Sequence, residues 1–150
     1  MASYEQIFFD PLGEPLERAV AALAERLDAR AHEGSSGWVL TRPIPGLESG
    51  AFLTGEVASY DYADSGSSDR DVFDGCPYYW SAITGPRRDG ELAARAMRGA
   101  FDRIAGSGLG WPLVLTHDYD VLVATYDIDA GVRLFPPGTR TDGVDRHVWE

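Results

Sequence analysis

The sequence has no lysine and no asparagine, a single cysteine, three histidines and no long apolar run. Each shortage narrows the readings. One thiol, Cys76, cannot close an internal disulfide and has no second thiol with which to share a metal, which fits a reducing compartment. No stretch approaches the roughly 20 apolar residues a membrane-crossing helix needs. The opening MASYEQIFFDPLGEP carries acidic Glu5, and no basic residue, ahead of its short apolar run, so it is not built like a secretory signal. A soluble, cytoplasmic protein is expected. With lysine absent, all thirteen basic residues are arginine. The codons of the two missing residues are AT-rich, which points to a GC-rich bacterial genome.

Motifs that hold phosphates, metals or nucleophiles are also missing. There is no GxGxxG after a strand, no GxxxxGK[ST], no HExxH and no GxSxG. His32, His117 and His147 have no recurring partner at ligand spacing. Cys76 sits two residues after Asp74, and a nearby carboxylate raises a thiol pKa. No catalytic residue, metal or cofactor is therefore expected, and the chain is not expected to be an enzyme. One stretch keeps a chemical alternative open. In THDYD, His117, Asp118 and Asp120 follow an apolar strand and have the residue types for acid–base work or one side of a metal site. The same aspartates equally suit a tight turn. DRDVFDG is not a calcium loop, because Asp69, Asp71 and Asp74 miss the required positions and no glutamate closes it.

What is present is a chain of 150 residues with 44% hydrophobic and 25% charged residues, the proportions of one ordinary globular domain spanning 1–150. The formal net charge of −11 repels nucleic acid and anionic lipid and favours a basic protein surface. Along the chain, YEQIFFD predicts a first strand. Leu16, Val20, Leu23 and Leu27 predict an amphipathic helix from about Pro15 that fades by Ala31, with HEGSSG as a loop. GWVLTR, AFLTGEVASYDY and PYYWSAITG predict three strands, the last with Tyr79, Ser81 and Ile83 on one face. Asp89 caps a second helix carrying Ala93, Met97, Ala100, Phe101 and Ile104. WPLVLTH, VLVATYD and VRLFPPGT predict three more strands, and RTDGVDRHVWE a polar tail. This order predicts an α+β fold: a mainly antiparallel sheet with two helices on one face, a two-layer sandwich whose other face is open.

The densest functional signal is YDYADSGSSDRDVFDGCPYYW, from Tyr60 to Trp80. Asp61, Asp64, Asp69, Asp71 and Asp74 share it with Arg70 and with the rings of Tyr60, Tyr62 and Tyr79. Aromatics supply contact area at low entropic cost, and carboxylates steer a cationic partner. Those eight residues, the five aspartates and three tyrosines, are the predicted partner-binding set, with the aspartates standing in for phosphate charges. The competing reading is a solvated loop whose rings turn inward.

With SYEQIFFD before PLERAVAALAERL and an ending WPLVLTHDYDVLVATYD, this small, acidic, cysteine-poor chain resembles the immunity proteins of bacterial polymorphic-toxin systems. The resemblance implies a cognate toxin domain as partner and occlusion of its basic active-site or target-binding cleft. It implies no residue roles, since no motif matches position by position. The chain is expected to be a monomer or homodimer, with neither nucleic acid nor membrane as partner. A small enzyme or ligand-binding protein using His117, Asp118 and Asp120, or a non-catalytic adaptor subunit, remains the alternative.

Overall fold

Ile7 and Phe9 alternate with Gln6 and Phe8 along the first strand, yet every residue of it is buried. That strand must therefore lie between neighbours with both faces covered. The computed structural model, which describes residues 3–35, 37–60 and 71–150, puts it near the middle of an eight-stranded sheet. The strands are β1 (Glu5–Phe9), β2 (Arg30–Gly34), β3 (Gly37–Pro43), β4 (Phe52–Ser59), β5 (Tyr78–Gly85), β6 (Leu113–His117), β7 (Val121–Asp127) and β8 (Gly131–Leu134). Their spatial order is β2-β3-β4-β5-β1-β6-β7-β8, and every named pairing is antiparallel. The fold is α+β, as expected.

Helices α1 (Leu16–Leu27) and α2 (Gly90–Ala105) cover one face. Val20, Leu23, Leu27, Met97, Phe101 and Ile104 meet Ile7, Phe9, Leu40, Leu53, Val57, Trp80, Leu113 and Leu115 of the sheet in one apolar core. Asp89 caps α2 by accepting from the Leu92 amide at 3.0 Å. α1 ends differently from expectation. It stops at Leu27, Asp28 takes a left-handed conformation (φ 51°), and the Ala29 amide reaches back to the Ala24 carbonyl at 2.8 Å. This closure turns the chain back on itself, and Arg30–Gly34 becomes an edge strand where a helix end and a loop were predicted. Two arginines complete the helix end. The buried Arg42 donates to the Leu27 carbonyl at 3.1 Å, and Arg103 donates to the Arg26 carbonyl at 2.7 Å and to Asp28 at 2.8 Å. Cations there oppose the negative end of the helix dipole.

The other face divides in two. Over β1, β6 and β7 the segment Asp71–Pro77 and the tail cover Phe8, Val114 and Leu122. Phe73 stacks on Phe8 with centroids 4.1 Å apart and planes within 6°. The Val72 amide donates to the Thr141 carbonyl at 2.9 Å, tying the cover to the tail. The tail packs through Trp149, and Arg133 of β8 holds the carbonyls of Val148 and Trp149 at 2.6 and 3.1 Å. Among the described residues no comparable apolar cluster lies on this face over β2 to β4. Among the described residues no helix is long and apolar enough to cross a membrane.

Candidate functional site: the open half of the sheet

Register decides which side chains share the open half. Pairing aligns His32, Val39, Glu56, Ser81, Gln6 and Thr116 in one row across six strands. A neighbouring row runs Thr41, Thr54 and Ile83, and another Ala58, Tyr79 and Phe8. Tyr4 and Tyr119 rise at the boundary with the covered half. Together they line an open depression of about 490 Å³ whose side chains include Tyr4, Tyr79, Tyr119, Glu56, Thr54 and Ser81.

A buried amide holds two of the lining residues, Ser81 and Tyr119, from beneath. Gln6 is fully buried, and its Oε1 accepts from the Thr116 hydroxyl at 2.7 Å and the Tyr119 amide at 2.8 Å. Its Nε2 donates to the Ser81 hydroxyl at 3.5 Å. Thr141 donates to the Tyr119 carbonyl at 2.8 Å. Asp118 (φ 49°) and Tyr119 (φ 65°) are both left-handed, a conformation that costs a non-glycine residue roughly 1–2 kcal/mol. The turn nevertheless places Tyr119 with its ring edge-on to Tyr79, centroids 5.8 Å apart at 85°, and its hydroxyl donates to Ser81 at 3.3 Å. Burial, the neighbouring Tyr119 and Glu56 raise the Tyr79 pKa, so Tyr79 is a neutral phenol.

The predicted partner-binding residues divide. Asp61, Tyr62, Asp64 and Asp69 lie outside the described residues. Tyr60, Asp71 and Asp74 come together at the covering segment, where Asp74 accepts from the Tyr60 hydroxyl at 2.9 Å and from the Asp71 amide at 2.7 Å. The Tyr60 ring packs edge-on against Phe8 and Phe73. Tyr60 and Asp74 thus fasten the cover to the sheet, whereas Tyr79 faces the depression. Sequence reasoning missed Tyr4, Gln6, Glu56, Ser81 and Tyr119 as a group. The alternation of Thr54 and Glu56 on one strand, and of Tyr79, Ser81 and Ile83 on the next, carried the available signal.

His117 points the other way, to the helix-covered face, at the end of β6. Its Nδ1 lies 2.5 Å from Glu5, which is 2% exposed, and its Nε2 lies 3.3 Å from Asp118. Asp118 also accepts from the Tyr4 amide at 2.8 Å. Both ring nitrogens are engaged by carboxylates of the chain itself. Burial raises the Glu5 pKa above 4.5, against the opposing hydrogen bond and charge of His117. Burial alone would lower the His117 pKa, but the Glu5 hydrogen bond and the charges of Glu5, Asp118 and Asp120 outweigh it and raise it above 6.5. Among the described residues no three His, Cys, Asp or Glu side chains converge as metal ligands do. Burial, helped by Asp10, pushes the Cys76 thiol up to about 12, leaving it neutral at physiological pH.

The raised histidine has a testable sign. Its stabilisation is fully present below the unfolded pKa of 6.5 and is lost as pH rises through the higher folded value. The stability advantage of wild type over His117→Ala should therefore be larger at about pH 6 than at about pH 9, measured by urea unfolding. An advantage that grows with pH contradicts the Glu5–His117 pairing.

No family model, no curated protein and no solved structure matches this chain.

Proposed function

We propose that this chain is an immunity protein: a cytoplasmic binding protein that neutralises a bacterial toxin domain by covering the toxin's basic active-site or target-binding cleft. The observation that carries the reading is the sheet face over β2 to β4, which has no apolar cover among the described residues. Tyr4 and Tyr119 are 40% and 42% exposed at its edge, beside Tyr79 and Glu56, around a depression that opens to solvent. Tyrosines fixed by packing and hydrogen bonds offer contact area with little entropy left to lose. The net charge of −11 supplies steering toward a cationic partner. Asp61, Asp64, Asp69 and Asp71 lie between β4 and β5 in sequence and contribute to that net charge.

Binding rather than catalysis is the function this surface supports. The histidine with the residue types for chemistry lies on the opposite face, with both nitrogens engaged.

The test is association with the toxin encoded by the neighbouring reading frame. Replacing Asp61, Asp64 and Asp69 by asparagine, with Asp74 kept because it anchors Tyr60, should slow association about tenfold or more at low salt. It should also flatten the salt dependence, since screening acts on those charges. An unchanged rate removes the aspartates from the mechanism, and the absence of any complex removes the toxin partner.

A further inference from the structure

We propose that the depression between α2 and the chain leaving β3 binds a small organic acid, its carboxylate on Arg42 and Arg95 and its hydrocarbon against Ile44, Leu47 and Leu92. The depression lies on the helix-covered side of the sheet, and binding there does not depend on a toxin partner.

Two pieces of chain enclose it. On α2, Leu92, Arg95, Ala96 and Gly99 fall at i, i+3, i+4 and i+7 and so share one side of the helix. Opposite them β3 ends at Pro43, and the Ile44 amide donates to the Ala51 carbonyl at 3.0 Å, closing the turn that carries Pro45 and Leu47. The space is about 290 Å³, close to the lower end for small-molecule sites. Gly99 keeps it open, with nothing within 4 Å of its Cβ position.

Arg42 sets the charge preference. It lines the depression, is only 5% exposed, and its Nε donates to the Leu27 carbonyl at 3.1 Å. Its two Nη groups have no hydrogen-bond partner among the described residues, although each can donate twice. Burial, and then the charge of Arg103, lowers the Arg42 pKa, with Asp28 opposing. Asp28 is itself held by Arg103 at 2.8 Å. A guanidinium stays protonated even so, and a buried charge without a paired anion is costly. Arg95 is exposed and has no ion pair or hydrogen bond among the described residues. The chain holds 24 acidic residues against 13 basic ones, yet no carboxylate is among the residues that line this depression.

A planar carboxylate matches the in-plane donors of guanidinium. A bare inorganic anion would leave the apolar wall wet, and a neutral hydrocarbon would leave Arg42 without its anion. An acid with a short hydrocarbon body meets both.

The experiment titrates the folded protein with sodium hexanoate, 1-hexanol and sodium acetate at about 150 mM total salt, following backbone amide resonances. Hexanoate should give saturable shifts centred on Ile44, Leu47, Arg95, Ala96 and Gly99, with a dissociation constant on the order of 1 mM. Hexanol lacks the charge and acetate the hydrocarbon, so each should bind about tenfold weaker or worse. Arg95→Gln should weaken hexanoate about threefold. Gly99→Leu should abolish saturation with the fold intact, because leucine is the better helix former and its side chain leans toward the preceding turn, where Arg95 and Ala96 line the space. Shifts that do not saturate, that centre on other arginines, or that are equal for hexanoate and hexanol overturn the proposal. So does full binding by either variant. A doubly capped Leu-Glu-Leu peptide that saturates the same resonances more tightly than hexanoate would assign the carboxylate to a protein side chain and overturn the free acid.

Discussion

Gly55→Ala is expected to destabilise the protein by on the order of 3 kcal/mol, although it adds one methyl group. A Cβ on Gly55 would lie 1.7 Å from the Ser81 carbonyl oxygen and 2.7 Å from the Ala82 Cα. Both obstacles belong to the backbone of β5, so no side-chain rotation relieves them. The strand would have to move, and it carries Trp80, 1% exposed, whose indole donates to the Gly55 carbonyl at 3.2 Å. Displacing β4 from β5 thus strains a central pairing and loosens the largest core side chain. The opposite result is expected at Gly99, exposed in the middle of α2 with nothing within 4 Å of its Cβ position. Gly99→Ala should stabilise by about 0.5–1 kcal/mol through helix propensity. Thermal unfolding of the pair should show a drop of roughly 6–12 °C for the first and a small rise for the second. A Gly55→Ala protein as stable as wild type would contradict the close approach of β4 and β5.

On the proposed immunity reading, combining Tyr119→Gly with Glu56→Arg is expected to weaken binding of the toxin about 100-fold or more. Loss of a central interface tyrosine costs on the order of 2 kcal/mol, close to 30-fold. Reversing the charge of Glu56 sets it against the basic cleft and adds repulsion where there was attraction. Because both residues line the same depression, their effects should couple rather than simply add. The readout is the dissociation constant of the purified complex. Affinity within a few-fold of wild type would move the docking surface off this half of the sheet.

The strength of local patterns explains what was legible beforehand. α1 and α2 each bury one stripe at helical spacing, so Val20, Leu23, Leu27, Met97, Phe101 and Ile104 were readable as core. β2 was not, because Arg30, Ala31, His32, Glu33 and Gly34 include no aromatic or β-branched residue and lack the alternation that marks a half-buried strand. Its place follows from backbone pairing with β3 and from the left-handed closure at Asp28, neither of which leaves a hydropathy signal. The site shows the same divide. Tyr60 and Tyr79 stand out by composition, but only packing separates the ring that fastens a cover from the ring that lines the depression. Tyr4, Glu56, Ser81 and Tyr119 meet through the register of β1, β4, β5 and β6, and contacts between residues so far apart in sequence leave no local pattern. THDYD was correctly open to a turn reading. Two left-handed residues and the Gln6 bond to the Tyr119 amide make it one, and it delivers Tyr119 to the open face.

The most direct measurement is growth of a surrogate bacterial host expressing the reading frame beside this gene, alone, with wild-type protein, and with the Tyr119→Gly/Glu56→Arg variant. The account predicts arrest without the protein, recovery with wild type, and little recovery with the variant at equal expression. A neighbouring frame that is harmless, or one that arrests growth whether or not the wild-type protein is present, would contradict it.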